Sequence, residues 1–301
     1  MNAIEIRNLN KRFGSRQAVR NLNMTVPQGA IYGFIGENGS GKSTTEKMIC
    51  GLLHENSGSI KLYGRDHTNP NVRARVGVLI ESPGCFPNVS VWDNMMIQAI
   101  NLGIRHPEKE IARVLKTVRM EGAASNKFRN CSLGMKQRIG IAFALLGDPA
   151  LLILDEPVNG LDADGMRIMR EVLVGITQRE GCTVLISSHI LGELEKIATH
   201  YGIIRKGQML REMTAQELNA SCPTYVSLKT GDMDGARQVL CSRYRRVERQ
   251  EDGSVRVYDR VKPEEIAAFL YENGISLREI QSEKIGLEEY YINLMQETEV
   301  I

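Results

Sequence analysis

Apolar and polar positions alternate with period two at the start of the chain, where Ile4 and Ile6 flank Glu5, and again at Leu22, Met24 and Val26 before the turn Pro27-Gln28-Gly29. This pattern predicts antiparallel strands. Between them, Lys11-Arg12-Phe13-Gly14 sets an aromatic ring beside basic residues and reads as a loop. Residues 30–35 then read as a strand, 44–53 as a helix, and 59–63 and 75–80 as further strands. From 90 to 147 the spacing turns helical. Ser90-Val91-Trp92-Asp93 resembles a capping box, and Pro107 opens a helix with Ile111, Val114, Leu115 and Val118 on one face. Trp92, the single tryptophan, reads as a packing residue of this helical insertion. Leu151-Leu152-Ile153-Leu154 is continuously apolar and ends in Asp155-Glu156, the profile of a parallel strand buried on both faces. A helix over 163–179 follows, its stripe made by Met166, Met169, Val172, Leu173 and Ile176. A strand over 183–187 then ends in Ser188-His189.

Past residue 213 the pattern changes again. Strands are predicted at 225–229, 245–250, 254–258 and 275–280, with Asp252-Gly253 as a hairpin turn, and helices at 234–242 and 263–273. The order βαββαβ fits a ferredoxin-like sandwich and also other α+β arrangements. A last amphipathic helix is expected over 286–296. The expected organisation is an α/β domain over 1–212, with an antiparallel subdomain and a helical insertion at about 88–147, followed by a small α+β domain over 213–301.

At 301 residues the chain can bury a sizeable core. Its 38 Lys and Arg nearly balance 36 Asp and Glu, so net charge offers no case for a nucleic-acid partner. The six cysteines are scattered, without a C-x-x-C pair, which fits a reduced cytosolic setting. Met1-Asn2-Ala3-Ile4-Glu5 has no signal-peptide character, and Gly147-Asp148-Pro149 interrupts the most apolar region well short of the ~20 residues a membrane helix needs. Any membrane contact is therefore expected through another subunit.

The strongest chemical signal is Gly36-Glu37-Asn38-Gly39-Ser40-Gly41-Lys42-Ser43-Thr44, which satisfies G-x-x-x-x-G-K-[ST] between a predicted strand and a predicted helix. Glycine-rich backbone lets successive N–H groups point at phosphate oxygens, and the helix N-terminus adds partial positive charge. Lys42 should reach the β- and γ-phosphates of a nucleoside triphosphate, and Ser43 should offer a hydroxyl to Mg²⁺. Asp155, Glu156 and His189 lie at the ends of strands that can share the sheet with the loop. Asp155 would hold Mg²⁺ through water, Glu156 could polarise an attacking water, and His189 could bond the γ-phosphate. Phe13 is placed to stack on a base.

Cys131-Ser132-Leu133-Gly134-Met135-Lys136-Gln137, followed by a helical stretch, resembles the L-S-G-G-Q signature of ATP-binding cassette proteins. The other stations occur in that family's order. Phe13 matches the adenine-stacking aromatic, 36–44 the Walker A loop, 151–156 the Walker B strand, Asn159-Gly160-Leu161-Asp162 the D-loop and His189 the switch histidine. The resemblance spans residues 1 to about 212. Cys131 and Leu133 depart from the usual signature, and Glu81 stands after Val76-Gly77-Val78-Leu79-Ile80 where the family usually has glutamine. Both departures, and the terminal Leu287-Glu288-Glu289-Tyr290-Tyr291, resemble the bacitracin-resistance and lantibiotic-immunity exporters.

The resemblance implies a P-loop ATPase that takes ATP and Mg²⁺. Phe13, Gly36, Asn38, Gly39, Ser40, Gly41, Lys42, Ser43, Thr44 and Glu81 would face the nucleotide of the same chain, with Glu81 also near the metal. Ser132, Gly134, Gln137 and Asp162 would face the nucleotide of a second chain. It implies a homodimer, or a heterodimer with a second cassette, driving an integral membrane permease from the cytoplasmic face. The competing expectation is a soluble regulatory or DNA-repair cassette ATPase. Against the latter, the stretch between Lys42 and Ser132 carries no sustained heptads.

Overall fold

In the computed structural model, which describes residues 1–250, 252–259 and 261–297, the apolar run forms the strand Leu151–Asp155, its first four residues wholly buried. It lies in a six-stranded sheet ordered Gln208–Thr214, His200–Arg205, Ile31–Ile35, Thr183–Ser188, Leu151–Asp155 and Val76–Leu79. Neighbours are parallel except the hairpin formed by the first two. Parallel strands are covered on both faces, which is why these runs are apolar without alternation. Their carboxyl ends also fall along one edge, bringing the ends of Ile31–Ile35, Leu151–Asp155 and Thr183–Ser188 together.

The closing hairpin was not among the elements expected from the sequence. Its signal is Tyr201, Ile203 and Ile204 followed by Lys206 and Gly207, which take φ of 47° and 81° as a tight hairpin turn requires.

A second, antiparallel sheet runs Arg16–Pro27, Asn2–Phe13, Ser57–Leu62, Arg65–Asp66. Here one expectation is corrected. Residues 11–13 are strand, not loop: Lys11, Arg12 and Phe13 pair with Val19, Gln17 and Arg16, and the turn comes at Gly14-Ser15. Strand pairing uses backbone groups only, so a basic run is accepted wherever its side chains can reach water. Ile4, Ile6, Leu22, Met24, Phe34, Met48 and Ile153 join in one core.

The first helix, Lys42–Ile49, ends earlier than expected because Gly51 turns the chain at φ 67° and the N–H groups of Leu52 and Leu53 both return to the Lys47 carbonyl. The insertion carries the helices Val91–Asn101, Pro107–Thr117 and Leu133–Leu145. Ser90 caps the first of these, accepting from the Asp93 N–H at 3.0 Å and donating to its carboxylate at 2.6 Å. Ile111, Val114, Leu115 and Val118 are buried. The helix Ala163–Glu180 buries Met169, Val172, Leu173 and Ile176, while Met166 is only half-buried.

The chain divides between Ala215 and Gln216, against an expected boundary after residue 212. The second unit holds four antiparallel strands in the order Val247–Arg249, Val255–Val257, Thr224–Thr230, Leu277–Lys284. With the helices Met233–Arg243 and Pro263–Glu272 as crossovers, this is the βαββαβ connectivity and strand order of a ferredoxin-like sandwich. Val226, Leu228, Val255 and Val257 pack on Ala236, Leu240, Ile266 and Leu270. The helix Leu287–Glu297 ends the described chain.

Candidate nucleotide-binding site

The loop 36–41 joins the strand Ile31–Ile35 to the helix Lys42–Ile49. Glycine is required at its base and at its end. A Cβ on Gly36 would lie 2.4 Å from the Ile204 carbonyl oxygen and 2.6 Å from the Ser40 hydroxyl. Gly41 sits at φ 112°, and a Cβ there would meet the Ala18 carbonyl oxygen at 2.8 Å. The helix N-terminus has no side-chain cap of its own, which leaves its N–H groups for a ligand.

Lys42 folds back across the loop, its Nζ donating to the carbonyls of Gly36 at 2.5 Å and Glu37 at 3.2 Å. It is only 6% exposed. The Ser40 hydroxyl is buried without a hydrogen-bond partner. A loop with no room for a Cβ at Gly36 or Gly41, an orphaned buried hydroxyl and an enclosed ammonium together fit a polyphosphate.

A cavity of about 380 Å³ opens over this loop. Of the residues expected from the sequence, Phe13, Asn38, Gly39, Gly41, Lys42, Ser43, Thr44, Asp155 and Glu156 line it. Gly36 and Ser40 are buried behind it. Phe13 is 49% exposed, with the Lys11 ammonium 5.1 Å from its ring centroid. Ser43 and Asp155 are hard oxygen donors on the same wall, the chemistry Mg²⁺ takes.

Ser187 organises the acidic side. Its hydroxyl donates to Asp155 Oδ1 at 2.7 Å and accepts from the Glu156 N–H at 3.3 Å, while its carbonyl accepts from the same N–H at 3.1 Å. Glu156 takes φ 49°, a left-handed conformation that costs a non-glycine residue energy. Its Oε2 lies 2.8 Å from His189 Nδ1, so His189 meets the site through Glu156 rather than by lining the cavity.

Three expected residues or groups stand elsewhere. Glu81 does not enter the cavity. Its carboxylate, 72% exposed, is bound to Lys47 Nζ at 2.7 Å, and that hydrogen bond holds its pKa below the ordinary carboxylate value. Of the residues expected at nucleotide and metal, Glu81 is thus the one whose carboxylate is paired with Lys47 outside the pocket. Ser132, Gly134 and Gln137 also lie off the cavity. Ser132 caps the helix Leu133–Leu145, its Oγ accepting from the Met135 N–H at 3.3 Å. Asp162 likewise caps the helix Ala163–Glu180 through the Gly165 N–H at 2.8 Å. These two stretches adjoin each other: a Cβ on Gly160 would meet Leu133 Cδ2 at 2.8 Å, and one on Gly134 would meet Leu161 Cδ2 at 3.5 Å.

Sequence reasoning passed over Arg16, Ala18, Ser187 and Glu46. Arg16 and Ala18 line the cavity because the turn at Gly14-Ser15 brings the next strand back beside Phe13. The only available signal was their nearness to Phe13. Glu46 follows Lys42 by one helical turn and is wholly buried, and neither of its carboxyl oxygens has a partner at hydrogen-bonding geometry. Burial first, then the charge of Asp155, push its pKa well above the ordinary carboxylate range. Its helix is mostly polar, with Ser43, Thr44, Thr45 and Lys47 beside it, so the sequence does not mark Glu46 as buried.

The chain is similar to known proteins. Residues 19–159 match the ABC transporter family model. The chain is 36% identical over 297 residues to the bacitracin transport ATP-binding protein BcrA of Bacillus licheniformis, covering 97% of both chains. It is 42% identical over 209 residues to the lantibiotic transport ATP-binding protein SrtF of Streptococcus pyogenes, covering 69% of this chain and 90% of that one. The solved structure of cbiO1 from Clostridium perfringens, part of an ABC transporter complex, superposes with a TM-score of 0.67 at 25% identity, over 73% of this chain and 91% of that chain. With its phosphate cradle, paired strand-end carboxylates and full-length likeness to such subunits, the chain belongs to the ABC transporter family as an ATP-hydrolysing, ATP-binding subunit.

Proposed function

We propose that two copies of the chain close head to tail around Mg·ATP and thereby drive a separate membrane subunit that exports a peptide antibiotic or a related compound. The observation that carries this reading is the position of Ser132, Gly134 and Gln137 outside the chain's own cavity. They stand at a helix N-terminus whose positive dipole end suits a γ-phosphate, and a second chain's nucleotide would supply one. In each site the loop N–H groups and Lys42 bind the phosphates, Phe13 stacks on the base, and Ser43 and Asp155 hold Mg²⁺. The bound cation would neutralise phosphate charge. Glu156 then takes a proton from water, with His189 orienting its carboxylate. Bacitracin and lantibiotics enter through the names of the relatives, and the inner membrane face follows from the need to meet a permease.

The test is complementation. Lys42→Ala disables the loop of its own chain and Ser132→Arg blocks the signature it offers to its partner, so each variant alone should be inactive. Co-assembled one to one, they should recover about a quarter of wild-type ATP turnover, since half the dimers are mixed and each carries one intact site of two. No recovery in a mixture shown to contain mixed dimers would rule out the composite site.

The segment between loop and signature folds into short strands and short helices, which leaves a DNA-repair reading without the long coiled coil it needs. A groove of about 410 Å³ instead lies between the strand Val76–Leu79 and the helices Val91–Asn101 and Leu133–Leu145, with Leu52, Pro83, Leu102 and Phe143 on its walls. Leu52 is 65% and Leu102 50% exposed, an apolar patch that suits the permease. Leu102→Asp should lower recovery of the membrane complex by roughly 10-fold or more while ATP affinity is kept. Co-purification against the wild type measures this, and undiminished recovery would place the permease elsewhere. The domain over 213–301 is assigned an accessory role through contact.

A further inference from the structure

Leu133 departs from the usual signature, and its side chain is 50% exposed at the first turn of the helix Leu133–Leu145. A lone half-exposed leucine is ordinary on a protein surface. What sets this one apart is reciprocal packing. Leu133 Cδ2 lies over Gly160, so close that a Cβ on that glycine would meet it at 2.8 Å, and Leu161 Cδ2 lies over Gly134, where a Cβ would stand 3.5 Å away. Each leucine is thus seated on the other stretch's glycine. Gly160 takes φ 73°, so a side chain there would strain the backbone as well as displace Leu133. The loop that receives Leu133 is itself rooted in the nucleotide site. Its Asn159 N–H donates to the Glu156 carbonyl at 3.1 Å and its Leu161 N–H to the Val158 carbonyl at 3.3 Å, before Asp162 caps the helix Ala163–Glu180.

We propose that Leu133 is a positioning residue of the composite ATP site: it clasps the signature turn 132–134 to the loop 159–162, so that one chain presents both to its partner's nucleotide as a single preformed surface. Within the chain the two stretches are joined only by way of the helix Leu133–Leu145 and the strand Leu151–Asp155, so close side-chain packing fixes their separation more narrowly than the backbone does. A preformed surface has less ordering left to lose when the second chain closes on it. Leu133 needs no contact with the nucleotide for this role. The inference rests on the reading of Ser132, Gly134, Gln137 and Asp162 as groups for a second chain's nucleotide.

The experiment follows dimerisation of the full-length chain by sedimentation velocity with Mg²⁺ and a non-hydrolysable ATP analogue. Thermal unfolding is measured alongside, as is binding of a fluorescent ATP analogue at protein concentrations too low for dimers. Leu133→Ala should unfold as wild type does, bind the fluorescent analogue within about twofold of wild type, and weaken the dimer on the order of 10-fold. Leu133→Met, similar in volume, should stay within about threefold of the wild-type dimer. Gly160→Ala should weaken the dimer by at least roughly threefold less once Leu133 is replaced by alanine, because the side chain it displaces is then gone. Additive effects of the two substitutions would overturn the proposal. So would a Leu133→Ala dimer as tight as the wild type, or one weakened only in step with lost stability. Wild-type protein that binds the analogue and stays monomeric would instead overturn the head-to-tail reading, and this inference with it.

Discussion

Glu156→Gln is expected to slow ATP turnover by at least ~10²-fold while the nucleotide stays bound and the dimer stays closed. The backbone of Glu156 is held by the Ser187 carbonyl and hydroxyl at 3.1 and 3.3 Å, and its side chain by His189 at 2.8 Å. Glutamine has the same length, and its carbonyl oxygen can still accept from a His189 N–H. The geometry of the wall is thus kept. What is lost is a carboxylate able to take a proton from water, and nothing else on the cavity wall replaces it, because Asp155 is tied to Ser187 beside the metal position. Steady-state ATPase rates and size-exclusion chromatography with and without ATP measure the two halves of the expectation. Turnover at the wild-type rate would remove Glu156 from its role. A slow variant that stayed monomeric with ATP would separate hydrolysis from closure.

Lys42→Ala should fail one step earlier, at binding. The ammonium is 6% exposed and held by two loop carbonyls, so it faces an incoming triphosphate with little freedom left to lose. A charge-assisted hydrogen bond to phosphate contributes about 1.5–3 kcal/mol, which corresponds to a roughly 10- to 100-fold rise in Kd for ATP. Alanine also releases the Gly36 and Glu37 carbonyls, and that loosens the cradle before any ligand arrives. Calorimetric titration of ATP into both proteins decides the matter. An affinity within about twofold of wild type would show that the backbone N–H groups alone carry the phosphates. The contrast between the variants is itself informative, since Glu156→Gln should bind without turning over and Lys42→Ala should do neither.

Much of the site was legible because its motifs are contiguous. The phosphate loop needs no distant residue to declare itself: Gly36, Gly39 and Gly41 permit backbone that other residues resist, and the following helix supplies the dipole. The buried strand Leu151–Asp155 announced itself in the same way through an unbroken apolar run. The βαββαβ order of the second unit was also readable, although period and turn residues alone left its strand order open. Where local patterns conflicted with pairing, pairing won. The basic run at 11–13 carries no apolar alternation, yet it is strand because its backbone meets Gln17 and Arg16 across the turn.

The amino-acid sequence by itself determined which segments could bind phosphate, hold a metal and cap helices, because those capacities belong to neighbouring residues and their own backbone. Tertiary structure alone decided which side chains would meet. Arg16 reaches the cavity only through a hairpin, Ser187 links Asp155 to Glu156 only because Thr183–Ser188 and Leu151–Asp155 pair in register, and Glu81 turns to Lys47 rather than to the pocket. Glu46 is ambiguous as a letter, since a glutamate on a helix usually faces water. It becomes an orphaned buried carboxyl only when the sheet closes over that face. The physical reason is common to all four: burial, hydrogen-bond partners and local charge are properties of the assembled surroundings, and these are set by strand register and packing between segments far apart in the chain.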